Sequence, residues 1–201
     1  MFKVQTMSKT PSKSAQNLNF HFSPKEITSP NKDSPGISKT VYTHLSNLHR
    51  LLNDWSSIRV KGVQICKSLT SLKLQECEDD YYPHQIKPLT ESLLQSLDAL
   101  KDIVEGAVII KYQMQALTKL QSSEEPVINT WLVSEISENI DKVCDTLQKE
   151  LRLKQIITEN IAHCRDENLI EVYASAWEFE AYFNMEGNSY LFAEVGLVGI
   201  T

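Results

Sequence analysis

A chain of 201 residues, 41% hydrophobic and 23% charged with a formal net charge of −6, has enough apolar material for one core, and its acidity speaks against a body built to lie on nucleic acid phosphates. Only 6 Gly and 7 Pro argue against a barrel or sandwich with many tight turns and favour helices. Cys66, Cys77, Cys144 and Cys164 include no Cys-x-x-Cys pair and read as free thiols of a reducing compartment. The absence of an apolar leader in the first ten residues, and of any apolar run near the ~20 residues of a membrane span, predicts a soluble intracellular protein with no membrane contact.

Residues 1–37 show no helical or strand period, are rich in Ser, Thr, Lys, Asn and Pro, and hold too few large apolar side chains to offset the entropy of ordering, so a disordered tail is expected. Within residues 1–40 six lysines face only Glu26 and Asp33, a net +4, which leaves −10 on the other 161 residues. Thr10-Pro11, Ser23-Pro24, Ser29-Pro30 and Ser34-Pro35 lie in this segment, and Lys13 and Lys32 follow two of the prolines at the second position. Proline holds the backbone extended and the lysine suits an acidic kinase surface, a pattern that resembles the preference of cyclin-dependent kinases. Thr10, Ser23, Ser29 and Ser34 are therefore candidate phosphorylation sites, and two or three phosphates at about −1.5 to −2 each would cancel the tail's charge.

From Ser38 the pattern becomes helical. Val41, Leu45, Leu48, Leu52, Trp55 and Ile58 recur at spacings of three and four, and after a slip the stripe resumes through Ile65, Leu69 and Leu72, predicting a first helix of ~38 residues. A second begins near Pro88 and repeats Leu93, Leu97, Leu100, Val104, Ala107 and Met114. A third follows Pro126 and Trp131, with Ile136, Ile140, Val143, Leu147, Leu151, Ile157 and Ile161 facing inward. The acidic stretch 76–84 and the polar stretch 121–126 break the helices, and such short connections make successive helices antiparallel. Gly62 and Gly106 fall inside helical patterns, at a cost of about 1 kcal/mol each relative to alanine, and read as close approaches or mild kinks. A short polar turn then leads to an aromatic-rich helix ending at Trp177. The expected fold is all-α: an antiparallel bundle of three long helices plus a short C-terminal helix over residues 38–185, with 1–37 and 186–201 as tails.

No arrangement for chemistry emerges. Glu159 and His163 share a helical face with Cys164 and Asp166 nearby, but a bundle di-metal site needs repeated Glu-x-x-His, and adjacent His163 and Cys164 chelate poorly from one helix. The Cys77, Glu78, Asp79, Asp80 and His84 cluster fares no better. There is no phosphate-cradling glycine loop, nucleophile elbow or His-Glu-x-x-His. The sequence predicts no enzyme, no cofactor and no metal.

Lys149-Glu150-Leu151-x-Leu153-Lys154, followed by Ala162-His163, Asp166, Leu169, Tyr173, Ser175 and Trp177, resembles the C-terminal region of the cyclin-dependent kinase 2-interacting protein family. Thr130-Trp131 matches a Thr-Trp before that family's last long helix, and Asn53-Asp54-Trp55 matches an element of its first. Two departures are Leu132, where the family has proline, and the sequence after Glu178. The resemblance implies a nuclear, non-enzymatic adaptor, with the cytoplasm as a second compartment. It implies as partners a cyclin-dependent kinase, the replication-initiation kinase, the partner protein of the apical checkpoint kinase, and AAA ATPases of the spermatogenesis-associated type, in complexes acting on replisomes and maturing large ribosomal subunits. Trp131, Tyr173 and Trp177 are candidate partner-binding aromatics, with Glu150 and Lys154 as a charged rim beside Arg152. The same aromatics at helical spacing also suit a core. A structural coiled-coil subunit of a tethering or kinetochore assembly, including a homo-oligomer, is the alternative. A tail of +4 without arginine predicts no direct nucleic acid binding.

Overall fold

The computed structural model describes residues 35–76, 84–121, 125–128, 130–193 and 195–197. Among these residues it contains five helices, α1 (Pro35–Glu76), α2 (Ile86–Leu120), α3 (Val133–Asn160), α4 (Glu167–Glu178) and α5 (Met185–Ala193), and no strand beyond an isolated bridge between Ile128 and Trp131. The four candidate phosphorylation positions, Thr10, Ser23, Ser29 and Ser34, lie outside the described residues, as does most of the acidic 76–84 connection.

Proline is tolerated in a first helical turn, where its missing N–H has no partner to lose, and α1 starts at Pro35, three residues ahead of the expected boundary. Its stripe Val41, Leu45, Leu48, Leu52 and Trp55 is fully buried, and the slip after Ile58 restores burial at Cys66 and Leu69. Helix α2 likewise carries Pro88 in its first turn and buries Leu93, Leu97, Leu100, Val104, Ala107 and Met114. Between α2 and α3, Val127 donates to the Trp131 carbonyl at 2.9 Å and Trp131 to the Ile128 carbonyl at 2.8 Å, a tight reversal that drops Val127 and Ile128 into the core. Helix α3 then starts with the Glu135 carboxylate accepting from the Leu132 N–H at 2.9 Å, one half of a capping box. Leu132 has no side-chain acceptor to supply the other half.

Paired side chains fix the direction of packing. Lys111 of α2 meets Asp145 of α3 at 3.1 Å and Gln115 meets Asp141 at 2.9 Å, so rising numbers on one helix match falling numbers on the other. Helix α2 lies between α1 and α3; α4 returns to pack on α1 and α3, and α5 contacts α3. The antiparallel all-α bundle of three long helices with a short C-terminal helix is thus the observed architecture. Residues 186–201, set apart above as a tail, contain most of α5, and Leu191, Phe192 and Val195 are at most 2% exposed in the same core. Leu191, Phe192 and Val195, with Leu197 against them, are a further layer of packing. No helix among the described residues is long and apolar enough to cross a membrane, and no group of three or more His, Cys, Asp or Glu among them could hold a metal ion.

Candidate partner-binding site

Helix α4 is where four of the predicted site residues, Glu150, Lys154, Tyr173 and Trp177, come together. Asp166 starts it, its carboxylate accepting from the Leu169 N–H at 3.2 Å, the N-cap that short polar acceptors provide. Ile170, Ala174 and Trp177 form its buried face, spaced at four and three. Its end is held by two cations from two other helices. Lys154 of α3 donates to the Trp177 carbonyl at 2.7 Å, to the Ala176 carbonyl at 3.3 Å and to Glu150 Oε1 at 2.8 Å, so all three ammonium hydrogens have acceptors. Arg59 of α1 donates to the Glu178 carbonyl at 3.1 Å. These carbonyls are among the last four of α4, which have no intrahelical donor, and positive charge there also meets the negative end of the helix dipole.

Glu150 completes the arrangement by accepting from the Tyr182 N–H through Oε2 at 2.9 Å, so one carboxylate fixes both Lys154 and the chain leaving α4. Trp177 lies against Gly62 of α1, where a Cβ would enter the indole ring, and its Nε1 donates to the Arg59 carbonyl at 3.2 Å. The Lys154 ammonium stands 5.5 Å from the centroid of the Trp177 ring, within cation–π range. Trp55 donates to Glu180, and Arg59 Nε lies 3.8 Å from the other Glu180 oxygen. Burial raises the Glu180 carboxyl above its usual range, and the Trp55 hydrogen bond and the charges of Arg59 and Lys154 oppose that rise. Apart from Arg59 Nε, which lies beyond hydrogen-bond distance of Glu180, the donors and acceptors named in this cluster hold helices together.

The geometry therefore redistributes the predicted residues. Glu150 and Lys154, expected as a charged rim, are fully buried, because each satisfies backbone groups that α4 and its exit leave without partners. Trp177 is also fully buried and joins them in one cluster, a packing position on the folded bundle. Tyr173 is half-buried on α4 against the same core. Trp131 sits at the opposite end of α3, half-buried, with its ring centroid 5.8 Å from that of Tyr190. Arg152 is exposed. Sequence reasoning did not connect Trp55, Arg59, Gly62 and Glu180 with this cluster; Trp55 stood out on the apolar stripe of α1 and Gly62 as a glycine inside an otherwise regular helix, whereas Arg59 and Glu180 left no signal.

What α4 presents outward is different in kind. Leu169, Val172 and Phe179 are 39%, 57% and 72% exposed, and Glu167 and Glu171, exposed on a different side of the helix, have no ion pair among the described residues. The turn-by-turn spacing puts Leu169 and Val172 on one side of the helix, with Phe179 immediately after its last turn. On α3, against which α4 packs, Ile156 is 46% exposed in a shallow cleft of about 480 Å³ lined also by Leu151, Arg152 and Glu159.

No family model matches this chain. Among curated proteins it is similar to the cyclin-dependent kinase 2-interacting protein of Bos taurus, 23% identical over 188 residues that cover 78% of this chain and 86% of that protein. The likeness is distant but nearly full-length. To the Mus musculus protein of the same name it is 25% identical over 193 residues, covering 82% and 90%, and to that of Xenopus laevis 21% identical over 184 residues, covering 81% and 89%. Cyclin-dependent kinase 2-interacting proteins are named for a binding partner and not for a reaction.

Proposed function

We propose that this chain is a non-catalytic adaptor that binds a cyclin-dependent kinase. The observation that carries this reading is the extent of the likeness, which takes in most of this chain and most of each cyclin-dependent kinase 2-interacting protein compared with it, and so reaches well beyond one helix of common pattern. A bundle whose buried Glu150–Lys154 pair is spent on holding α4, and whose α4 leaves Val172 and Phe179 exposed, suits docking better than catalysis. The test is capture of purified cyclin-dependent kinase 2, alone and with a cyclin, by the immobilised full-length chain. Saturable binding is expected, and its absence under both conditions overturns the reading.

The finer reading rests on the resemblance of residues 130–177 and extends the proposal to a nuclear protein. It would join the replication-initiation kinase, the partner protein of the apical checkpoint kinase and AAA ATPases of the spermatogenesis-associated type, with proline-directed phosphorylation at Thr10, Ser23, Ser29 and Ser34. Proximity labelling in dividing cells separates these partners. Enrichment of AAA ATPases without replication kinases would place the chain in proteostasis and ribosome maturation, and the reverse would place it at origins.

A further inference from the structure

We infer that a cavity at the start of α3 receives an arginine side chain from a segment of a partner protein. This deepens the adaptor reading and rests on it for the partner. The cavity holds about 260 Å³ and is lined by Thr130, Trp131, Glu135, Glu138 and Asn139. Sites for whole small molecules run to roughly 300–1,000 Å³, so a space of this size suits a single side chain. Its lining brings an aromatic residue and two carboxylates to one place. Glu135 and Glu138 are three apart in the first turns of α3, and Trp131 precedes Glu135 by four. No lysine, arginine or histidine lines it.

The walls are fixed by bonds that leave negative charge uncompensated. Trp131 is held through both backbone groups, its N–H donating to the Ile128 carbonyl at 2.8 Å and its carbonyl accepting from Val127 at 2.9 Å. Its half-buried ring lies 5.8 Å from that of Tyr190, whose hydroxyl donates to Asn139 Oδ1 at 2.6 Å, and Asn139 Nδ2 donates to the Glu135 carbonyl at 2.8 Å. The cavity is therefore preorganised, and an occupant has little of it to order. Glu135 uses Oε2 to accept from the Leu132 N–H at 2.9 Å, while the exposed Glu138 carboxylate has no ion pair among the described residues. Lys142, four beyond Glu138 on the same stripe, forms none with it. The start of α3 contributes about half a positive charge against two full negative ones, so the cavity favours a cation and repels the phosphates of nucleic acid or anionic lipid. Among cationic side chains arginine fits these walls best. Its flat guanidinium stacks on an indole while donating to a carboxylate, whereas the lysine ammonium has no plane and is more strongly hydrated.

The test follows the amide and indole N–H resonances of the nitrogen-15-labelled full-length chain as a short blocked peptide, one arginine among glycine and serine, is added. Two twins carry lysine or citrulline in its place, citrulline keeping the shape of arginine without the charge. The arginine peptide should shift the amides of residues 135–139 and the Trp131 indole saturably, the lysine peptide more weakly and the citrulline peptide not at all. Glu138→Gln should weaken the arginine peptide about two- to fivefold, and Trp131→Leu by a similar factor read from the same amides. Glu105→Gln, which neutralises an exposed carboxylate on α2, should leave it unchanged. Spectral dispersion shows whether each variant is folded, and exposed Glu138 keeps the test valid even where Trp131→Leu unfolds the chain. Equal shifts from the arginine and citrulline peptides, equal affinity for the lysine peptide, or shifts that bypass residues 130–139 overturn the inference. The kinase capture described above keeps the two ideas apart. Capture without an arginine-selective cavity removes this site and leaves the adaptor reading; an arginine-selective cavity without capture does the reverse.

Discussion

At position 62 helix propensity and tertiary contact pull in opposite directions. Glycine costs α1 about 1 kcal/mol relative to alanine, yet a methyl there would enter the Trp177 indole, which is fully buried and cannot withdraw without giving up its bond to the Arg59 carbonyl. Gly62→Ala is therefore expected to destabilise by about 1–3 kcal/mol in urea unfolding. Gly106→Ala serves as the contrast: its Cβ would approach only the tip of Leu51 at 3.1 Å, a side chain on the half-buried rim of the core, and it should be near neutral or stabilising. The buried pair makes a second residue-scale case. Lys154→Met strands the Glu150 charge and two carbonyls of α4 and should cost about 3–5 kcal/mol, whereas adding Glu150→Leu should recover part of the loss, since an unpaired buried charge costs more than an absent pair. A double-mutant cycle measures this directly. Burial pushes the thiols of Cys66 and Cys144 up to about 12, and Cys144 also donates to the Ala107 carbonyl at 3.3 Å. Both should resist alkylation in the native protein at pH 8 while half-exposed Cys164 reacts, as peptide mapping after iodoacetamide would show.

Helix α4 shows how far an element can be read from its own residues. Its existence was legible, because a polar turn precedes an aromatic-rich run ending at Trp177, but which of its aromatics faced inward was not, since Tyr173 and Trp177 at helical spacing suit a core and a partner surface alike. The fate of Glu150 and Lys154 was not legible either. A Glu-Lys pair four apart on an amphipathic helix ordinarily faces water, and only the arrival of another helix's carbonyl end makes burial favourable. Helix α5 escaped for the complementary reason: nine residues with two polar side chains in mid-run carry too little period to register, and Leu191 and Phe192 find their partners only in three dimensions. The loop between these helices has a pH signature. The folded state holds the Glu180 proton more tightly than the unfolded chain does, so this group favours folding most below its ordinary value of 4.5 and contributes progressively less as pH rises through its raised value. Glu180→Gln keeps an acceptor for Trp55 and removes the charge. The decline of melting temperature with rising pH just above 4.5 should be shallower in the variant than in the parent, and a steeper decline would contradict the assignment.

At the scale of the molecule, the three long helices were legible because each sustains its apolar period over many turns, and the antiparallel order followed from the shortness of the connections. Which helix closes the bundle was hidden, since Gly62, Trp177, Glu150 and Lys154 become one site only when α1, α3 and α4 meet. Iodide quenching offers a check on the whole arrangement. With Trp55 and Trp177 fully buried and Trp131 half-buried, the folded protein should show one accessible tryptophan in three, and a second accessible fluorophore would mean that the α4 seat is open. That seat also has a schedule. The Arg59 carbonyl and the indole it accepts from are 118 residues apart, and at a synthesis rate of ~5–20 residues per second the first waits roughly 6–24 s for the second. During that interval the nascent chain displays an α1 groove shaped for a ring that has not yet been made. The last third of the message therefore determines when this groove in the first third is filled.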